Sequence, residues 1–231
     1  MSRPMKLQQF ALSLIILTFV CSFKGHGQDE DLKLWTRVSV KYDLTTKTRL
    51  AVEEEFRFYN NASSLEQNHT EIGISHELSD NWEGGLFYRF IYETDPQDYY
   101  SLGHRGWFQL AYKWQWGNIK GSIRERLQGT FQDYMSSENG KIPENYLRSK
   151  ISLTYEPIKG NIEPYIGGEF WYTLGTGDPA IIDKMRIGGG IEYRRNKNVR
   201  LDFFYNYQKD LQVARPDTGH IFGIAYAYII R

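Results

Sequence analysis

The feature that most constrains this chain is an alternation of apolar and polar residues that begins at Leu34 and recurs almost to the last residue. Successive side chains of a β-strand point to opposite faces, so a period of two gives each segment one apolar and one polar face. Leu50, Val52, Phe56 and Phe58 alternate with Arg49, Glu53, Glu55 and Arg57. Ile72, Ile74 and Leu78 alternate with Glu71, Ser75 and Glu77, and Leu86, Tyr88, Phe90 and Tyr92 with Glu83, Arg89 and Glu93. Phe108, Leu110, Tyr112, Trp114 and Trp116 face away from Arg105, Gln109, Lys113 and Gln115, as Ile119, Ile123, Leu127 and Phe131 do from Lys120, Arg124, Arg126 and Gln128. Leu147, Ile151, Leu153 and Tyr155 oppose Arg148, Lys150 and Ser152, and four more such segments follow, ending in HIFGIAYAYII. With the opening LWTRVSVKY this predicts about eleven strands of roughly ten residues and no helix.

The connections sort by length. DLTTKT, LSDN, WGN, PIKGN and RNKN are short, and they alternate with NNASSLEQN, TDPQDYYSLG, QDYMSSENGKIPEN, GTGDPAIID and KDLQVARPDTG. Aromatic residues (Trp82, Tyr92, Trp116, Tyr155, Tyr172, Tyr207) close nearly every apolar face. In membrane barrels such rings form girdles at the two interfaces, and a tilted spanning strand needs about 9–11 residues. The pattern predicts an all-β fold, an antiparallel transmembrane β-barrel of about 10–12 strands with short periplasmic turns and longer extracellular loops. One count conflicts with this. If the short turns are periplasmic, the first and last strands both descend and the number is odd, whereas bacterial single-chain barrels have even numbers. Either residues 33–42 lie outside the wall or the count is off by one.

The N-terminus supplies an export route. Arg3 and Lys6 precede FALSLIILTFV, an apolar run too short to span a bilayer and patterned as a secretory signal. Gly25 and Gly27 place cleavage near Gly27–Gln28, giving a leader at residues 1–27 and a barrel domain at 28–231. Cys21 follows Val20, where a lipid-modified cysteine follows a small residue, so lipid attachment is disfavoured. Arg3, Lys6 and Lys24 leave with the leader, so 25 basic residues remain against 28 acidic ones. That balance excludes a broadly basic nucleic-acid binder, and no cysteine is left for thiol chemistry. The expected location is the outer membrane of a Gram-negative cell. The expected partners are outer-membrane lipid, the assembly machinery during insertion and, as an open option, another membrane protein; no cofactor or metal is expected.

The segment LWTRVSVKYDLTTKTRLAVEEEFRF, followed by HTEIGISHELSDNWEGGLFYRF, resembles the opening of domain-of-unknown-function family 2490. The Trp35 segment, the basic turn, the Glu-Glu-Glu strand and the Gly-rich hairpin carry the likeness, which extends over residues 30 to 231. The resemblance implies an outer-membrane barrel of Gram-negative bacteria and assigns no catalytic residues. The tail YAYIIR departs from the usual final aromatic of such barrels, and Tyr228 stands three residues earlier.

If the polar faces line the lumen, a basic wall of Arg105, Lys113, Lys120, Arg124, Arg126, Arg148 and Lys150 comes from three consecutive strands. An acidic wall of Glu53, Glu55, Glu71, Glu77, Glu83 and Glu93 comes from three earlier ones. Barrels near eight strands are filled by side chains and open channels belong to 16–18 strands, so ion pairs are expected to plug the lumen. A narrow path for small charged solutes is the functional counterpart. A rim lipid hydrolase is the alternative: His69, His104 and His220 open strands after long loops, Ser101 precedes His104 by three residues, and Asp95, Asp98, Asp178, Asp183 and Asp217 lie in loops. An accessory subunit of a larger membrane complex is a third reading. Glu54 and Glu125 sit on the apolar phase of their strands, and β-bulges turning them inward are the expected remedy.

Overall fold

A strand that presents charge on one face and apolar groups on the other needs a neighbour on each side and a curvature that separates the two faces. Both are found in a computed structural model that describes residues 30–94, 100–132, 136–137, 140–141, 143–157, 160–175, 182–211 and 218–231. The chain divides into Met1–Glu30 and Asp31–Arg231; the expected leader at residues 1–27 lies outside the described residues. The strands are β1 (Glu30–Asp43), β2 (Thr48–Tyr59), β3 (Ser64–Glu77), β4 (Trp82–Thr94), β5 (Tyr100–Trp116), β6 (Ile119–Gln132), β9 (Glu144–Tyr155), β10 (Ile162–Leu174), β11 (Ile182–Arg194), β12 (Val199–Asp210) and β13 (Thr218–Ile230). β7 (Ser136–Ser137) and β8 (Gly140–Lys141) form a small separate hairpin between β6 and β9.

Eleven strands close into a barrel in the order β1-β13-β12-β11-β10-β9-β6-β5-β4-β3-β2. The ladders from β1–β2 round to β12–β13 are all antiparallel. Ten reversals bring β13 back to the direction of β1, so the closing pair is parallel. Its contacts rise in step along both strands. Lys33 lies against Gly219, the Ser39 hydroxyl donates to the Tyr226 carbonyl at 3.4 Å, and Arg231 reaches Asp43 at 3.9 Å. The odd count is therefore real. Residues 33–42 are a full member of the wall, with a continuous register from Leu34↔Phe58 to Asp43↔Arg49, and neither escape offered by the sequence is taken.

The apolar phase faces outward all the way round. Val38, Val40, Val52, Ile72, Leu86, Phe108, Leu127, Ile151, Ile166, Ile187, Phe203 and Ile224 are exposed on this surface. Aromatic rings mark the turn-side edge at Tyr42, Trp82, Tyr112, Trp116, Tyr155, Tyr193 and Tyr228, with Trp116 82% exposed. On the loop side, Tyr92 stacks on Tyr100 with centroids 5.2 Å apart, near exposed Phe131.

Short turns are fixed by their own side chains. The Thr45 hydroxyl accepts from the Thr48 amide at 2.9 Å, Ser79 from Trp82 at 3.2 Å, and the Asn196 side chain from Asn198 and Val199 at 2.8 Å. In Trp116–Gly117–Asn118, Gly117 takes a φ of 56°, which glycine adopts without steric cost. The segment NNASSLEQN, expected as a long loop, is mostly strand. Its turn is confined to residues 60–63, of which Asn60, Asn61 and Ala62 have φ of 52°, 55° and 61°. Asp31 holds this left-handed run by accepting from the Asn60 and Asn61 amides, and Ala62 donates to the Leu32 carbonyl.

Glu54 and Glu125 do not turn inward. The register is unbroken through Glu54↔Thr70 and Glu125↔Ser149, and the nearest bulge in β2 falls at Arg57/Phe58. Both carboxylates stay on the apolar face and bond to polar neighbours there: Asn68 and Thr70 donate to Glu54 at 2.6 and 2.8 Å, and Ser149 to Glu125 at 2.6 Å. Cross-strand hydroxyl and amide donors satisfy the carboxylates, so no extra residue is needed in the strand.

Candidate functional site

The polar phase converges on the barrel interior, where it forms layers. Near the middle, Glu55 is 1% exposed and receives Arg37 on one oxygen at 2.6 Å and Arg57 on the other at 2.7 Å. His69, on the neighbouring strand, is equally buried. Its Nδ1 accepts from Arg89 at 3.0 Å and its Nε2 lies 2.9 Å from the Gln67 carbonyl oxygen, the arrangement of a neutral ring that donates to Gln67. Arg89 also binds Glu71 through two nitrogens. Across the lumen, Glu169 is shared by Arg124, by Arg148 at 2.9 Å and by Arg186 at 4.0 Å. Unpaired charges here would carry a large desolvation cost, and multiple hydrogen bonds on each carboxylate offset it.

Three tryptophans lie in the same layer on the charged phase of their strands. Trp35, Trp107 and Trp171 are buried. Arg57 and Arg186 flank Trp35 at 3.9 and 4.8 Å, Arg126 and Arg89 flank Trp107 at 4.5 and 5.5 Å, and Arg148 and Arg186 flank Trp171 at 4.4 and 4.9 Å. Each stack contributes about 0.5–2 kcal/mol and holds a guanidinium plane in place. The alternation as read from sequence assigned these three rings to neither face; their odd numbering, in phase with Arg37, Arg105 and Glu169, was the available signal.

The loop side of this layer opens into a cavity of about 470 Å³ lined almost wholly by polar groups. Of the expected basic wall, Arg105, Arg124, Arg126, Arg148 and Lys150 line it. Lys113 and Lys120 do not. They sit at the turn-side rim, paired with Glu83 and Glu156 at 2.7 Å. Of the acidic wall, Glu53 and Glu71 line the cavity, Glu55 is buried behind the lining residues Arg37 and Arg57, and Glu93 accepts from Gln67 and Gln132. Glu77 and Glu83 face each other across β3 and β4 near the turns. The acidic strands also carry Arg57 and Arg89, and Arg37 joins them from β1, so that side is an interleaved ion-pair lattice, and Glu144 adds a carboxylate to the basic side. A smaller cavity of about 140 Å³ lies against Gly167 and Gly188, where Tyr165 donates to Asp202 at 2.9 Å.

The hydrolase candidates are not brought together. Ser101 and His104 are three residues apart on one strand and so project to opposite faces. His104 is outside, 2.6 Å from the Tyr88 hydroxyl, and His220 is outside, 2.7 Å from Tyr205. His69 is inside. Asp183 is bonded by Tyr146 at 3.3 Å, and Asp95, Asp98, Asp178 and Asp217 lie outside the described residues.

A family model described as "Protein of unknown function (DUF2490)" matches residues 32–218. No curated protein matches the sequence. Among solved structures, the β domain of the Bordetella autotransporter Brka is similar at 8% identity, covering 76% of this chain and 81% of that one, with a TM-score of 0.48. A NanC porin is similar at 11% identity, covering 77% and 86%, with a TM-score of 0.45.

Proposed function

The chain belongs to the family described as protein of unknown function DUF2490, and from that premise we propose that it is a barrel of the Gram-negative outer membrane. In this reading its lumen is closed midway by ion pairs and arginine–tryptophan stacks, and it passes small charged solutes at most. The observation that carries the reading is the division of the wall strands into an exposed apolar face and an inward face that is polar and largely ion-paired on all of them but β13. Water on the outside would leave a continuous apolar belt unsatisfied, whereas lipid matches it, and a closed barrel leaves no backbone edge in the membrane. The leader expected at residues 1–27 would deliver the chain to the periplasm, and its assembly machinery would complete insertion.

The filled middle supports a structural or narrow-path role over that of a general porin. Rim lipid hydrolysis loses its support because Ser101 and His104 point apart. The reading is tested by fractionating a Gram-negative host that expresses the full chain. The protein is expected in the outer-membrane fraction, resistant to carbonate extraction and migrating faster unheated than boiled. Recovery as a soluble periplasmic protein would contradict it.

A further inference from the structure

Three pairs of like charges face each other directly across neighbouring strands inside the barrel. The register sets Arg89 opposite Arg105, Arg126 opposite Arg148, and Arg124 opposite Lys150. Directly opposed like charges destabilise a sheet, and carboxylates relieve only half of these six. Arg89 has Glu71, and Arg124 and Arg148 share Glu169. Among the described residues, Arg105, Arg126 and Lys150 have no carboxylate within ion-pair distance. Arg105 donates to Thr130 at 2.9 Å and Arg126 to Gln109 at 3.1 Å, both neutral acceptors. Lys150 stands opposite Glu169 in register, but the arginines occupy that carboxylate.

The same side of the lumen has surplus donors. Among the described residues, the buried Nε of Arg124, the buried Nε of Arg126 and the indole nitrogen of Trp107 lack any acceptor, as does the indole nitrogen of Trp35 across the lumen. Eleven lysine and arginine side chains line the 470 Å³ cavity against six carboxylates. The cavity is large enough for a small solute and offers it planar guanidinium forks, the geometry that suits two-point binding of carboxylate or phosphate.

We propose that the lumen cavity is a binding site for a small multivalent oxyanion, a polycarboxylate or phosphate, held by Arg126 and Lys150 with Arg124 beside them and Arg105 nearer the loop-side mouth. The proposal rests on the reading of the chain as a barrel with a charged lumen. The ligand supplies the negative charge that the wall lacks, and the opposed cations are the stability cost of keeping the site ready for it. Entry is from the loop side, toward which the lining extends through Lys33, Glu66, Glu144 and Asp183.

The test is isothermal titration of citrate and of inorganic phosphate into the full chain purified from membranes in a zwitterionic detergent, at fixed chloride. Wild type is expected to show one saturable site for at least one of the two anions. Arg126→Gln and Lys150→Gln should each weaken it at least about tenfold, Arg126→Lys less, and Lys113→Gln at the rim by under about twofold. A second readout separates a binding role from a structural one. Without ligand, Lys150→Gln should unfold at a higher denaturant concentration than wild type, because it removes one of two opposed cations and no ring stack. Absence of saturable heat with both anions, or equal affinity in wild type, Arg126→Gln and Lys150→Gln, would overturn the site. So would a lower unfolding midpoint for Lys150→Gln. None of these outcomes bears on outer-membrane location, which fractionation tests separately.

Discussion

Glu55 is the most deeply buried carboxylate among the described residues. It is 1% exposed, and both its oxygens are taken by arginines, one on a neighbouring strand and one on its own. Glu55→Gln leaves Arg37 and Arg57 buried against a neutral amide, and breaking a buried pair in this way costs about 3–5 kcal/mol. Lys113→Ala removes an exposed rim partner of Glu83 and should cost under about 1 kcal/mol. Equilibrium urea unfolding from lipid vesicles, followed by tryptophan emission, checks both. A second rim carboxylate gives a pH signature. Lys120 donates to Glu156, which lies past the end of β9, and holds its carboxyl below the ordinary value of 4.5. A depressed folded-state value means that this stability is complete above the ordinary carboxylate range and is lost as pH falls through the folded value. The melting temperature of wild type should therefore exceed that of Glu156→Gln at pH 7, with the small gap closing at pH 3. At this scale phase alone assigned Glu53, Glu55, Arg124 and Arg126 to the polar side; in the structure Glu53, Arg124 and Arg126 line the cavity and Glu55 is buried between Arg37 and Arg57. Phase could not give height along the strand. Lys113 and Lys120 share a phase with Arg105 and Arg126 yet end at the turn-side rim, and Trp35, Trp107 and Trp171, in phase with lumen charges, were assigned to neither face.

Strand number and pairing belong to the element scale. The alternation, the turn signals and the loop lengths made the strands legible, and they also exposed the parity conflict. What they could not supply was its resolution, because the direction of a closing pair depends on contacts 187 positions apart, such as Ser39 with Tyr226. The parallel seam between β1 and β13 makes a sharp prediction. In a cysteine-free background, Lys33→Cys with Gly219→Cys and Ser39→Cys with Ala227→Cys should each cross-link through a short bis-maleimide in the folded barrel. Lys33→Cys with Ala227→Cys should not. Cross-linking of that last pair alone would mean an antiparallel closure and an even number of strands. Glu54 and Glu125 belong here too. The expectation of bulges followed from treating a carboxylate on the apolar face as intolerable. In the structure, hydroxyl and amide groups on the next strands (Asn68, Thr70 and Ser149) stabilise these carboxylates without any change of register.

For the whole molecule, eleven strands fall between barrels filled by side chains and barrels wide enough for an aqueous channel. The structure settles toward the filled side in the middle, where the Glu55 and Glu169 clusters and three tryptophan stacks lie, and toward an open cation-rich cavity on the loop side. The central claim is that this charged layer, and no feature of the wall, decides what crosses. The direct measurement is conductance of the purified protein in planar bilayers under a salt gradient, for wild type and Arg126→Gln. The account predicts no steady steps of open-porin size in wild type, with any residual current carried by the anion in preference to the cation and that preference reduced in Arg126→Gln. Large, weakly selective steps in wild type, unchanged by the substitution, would contradict it.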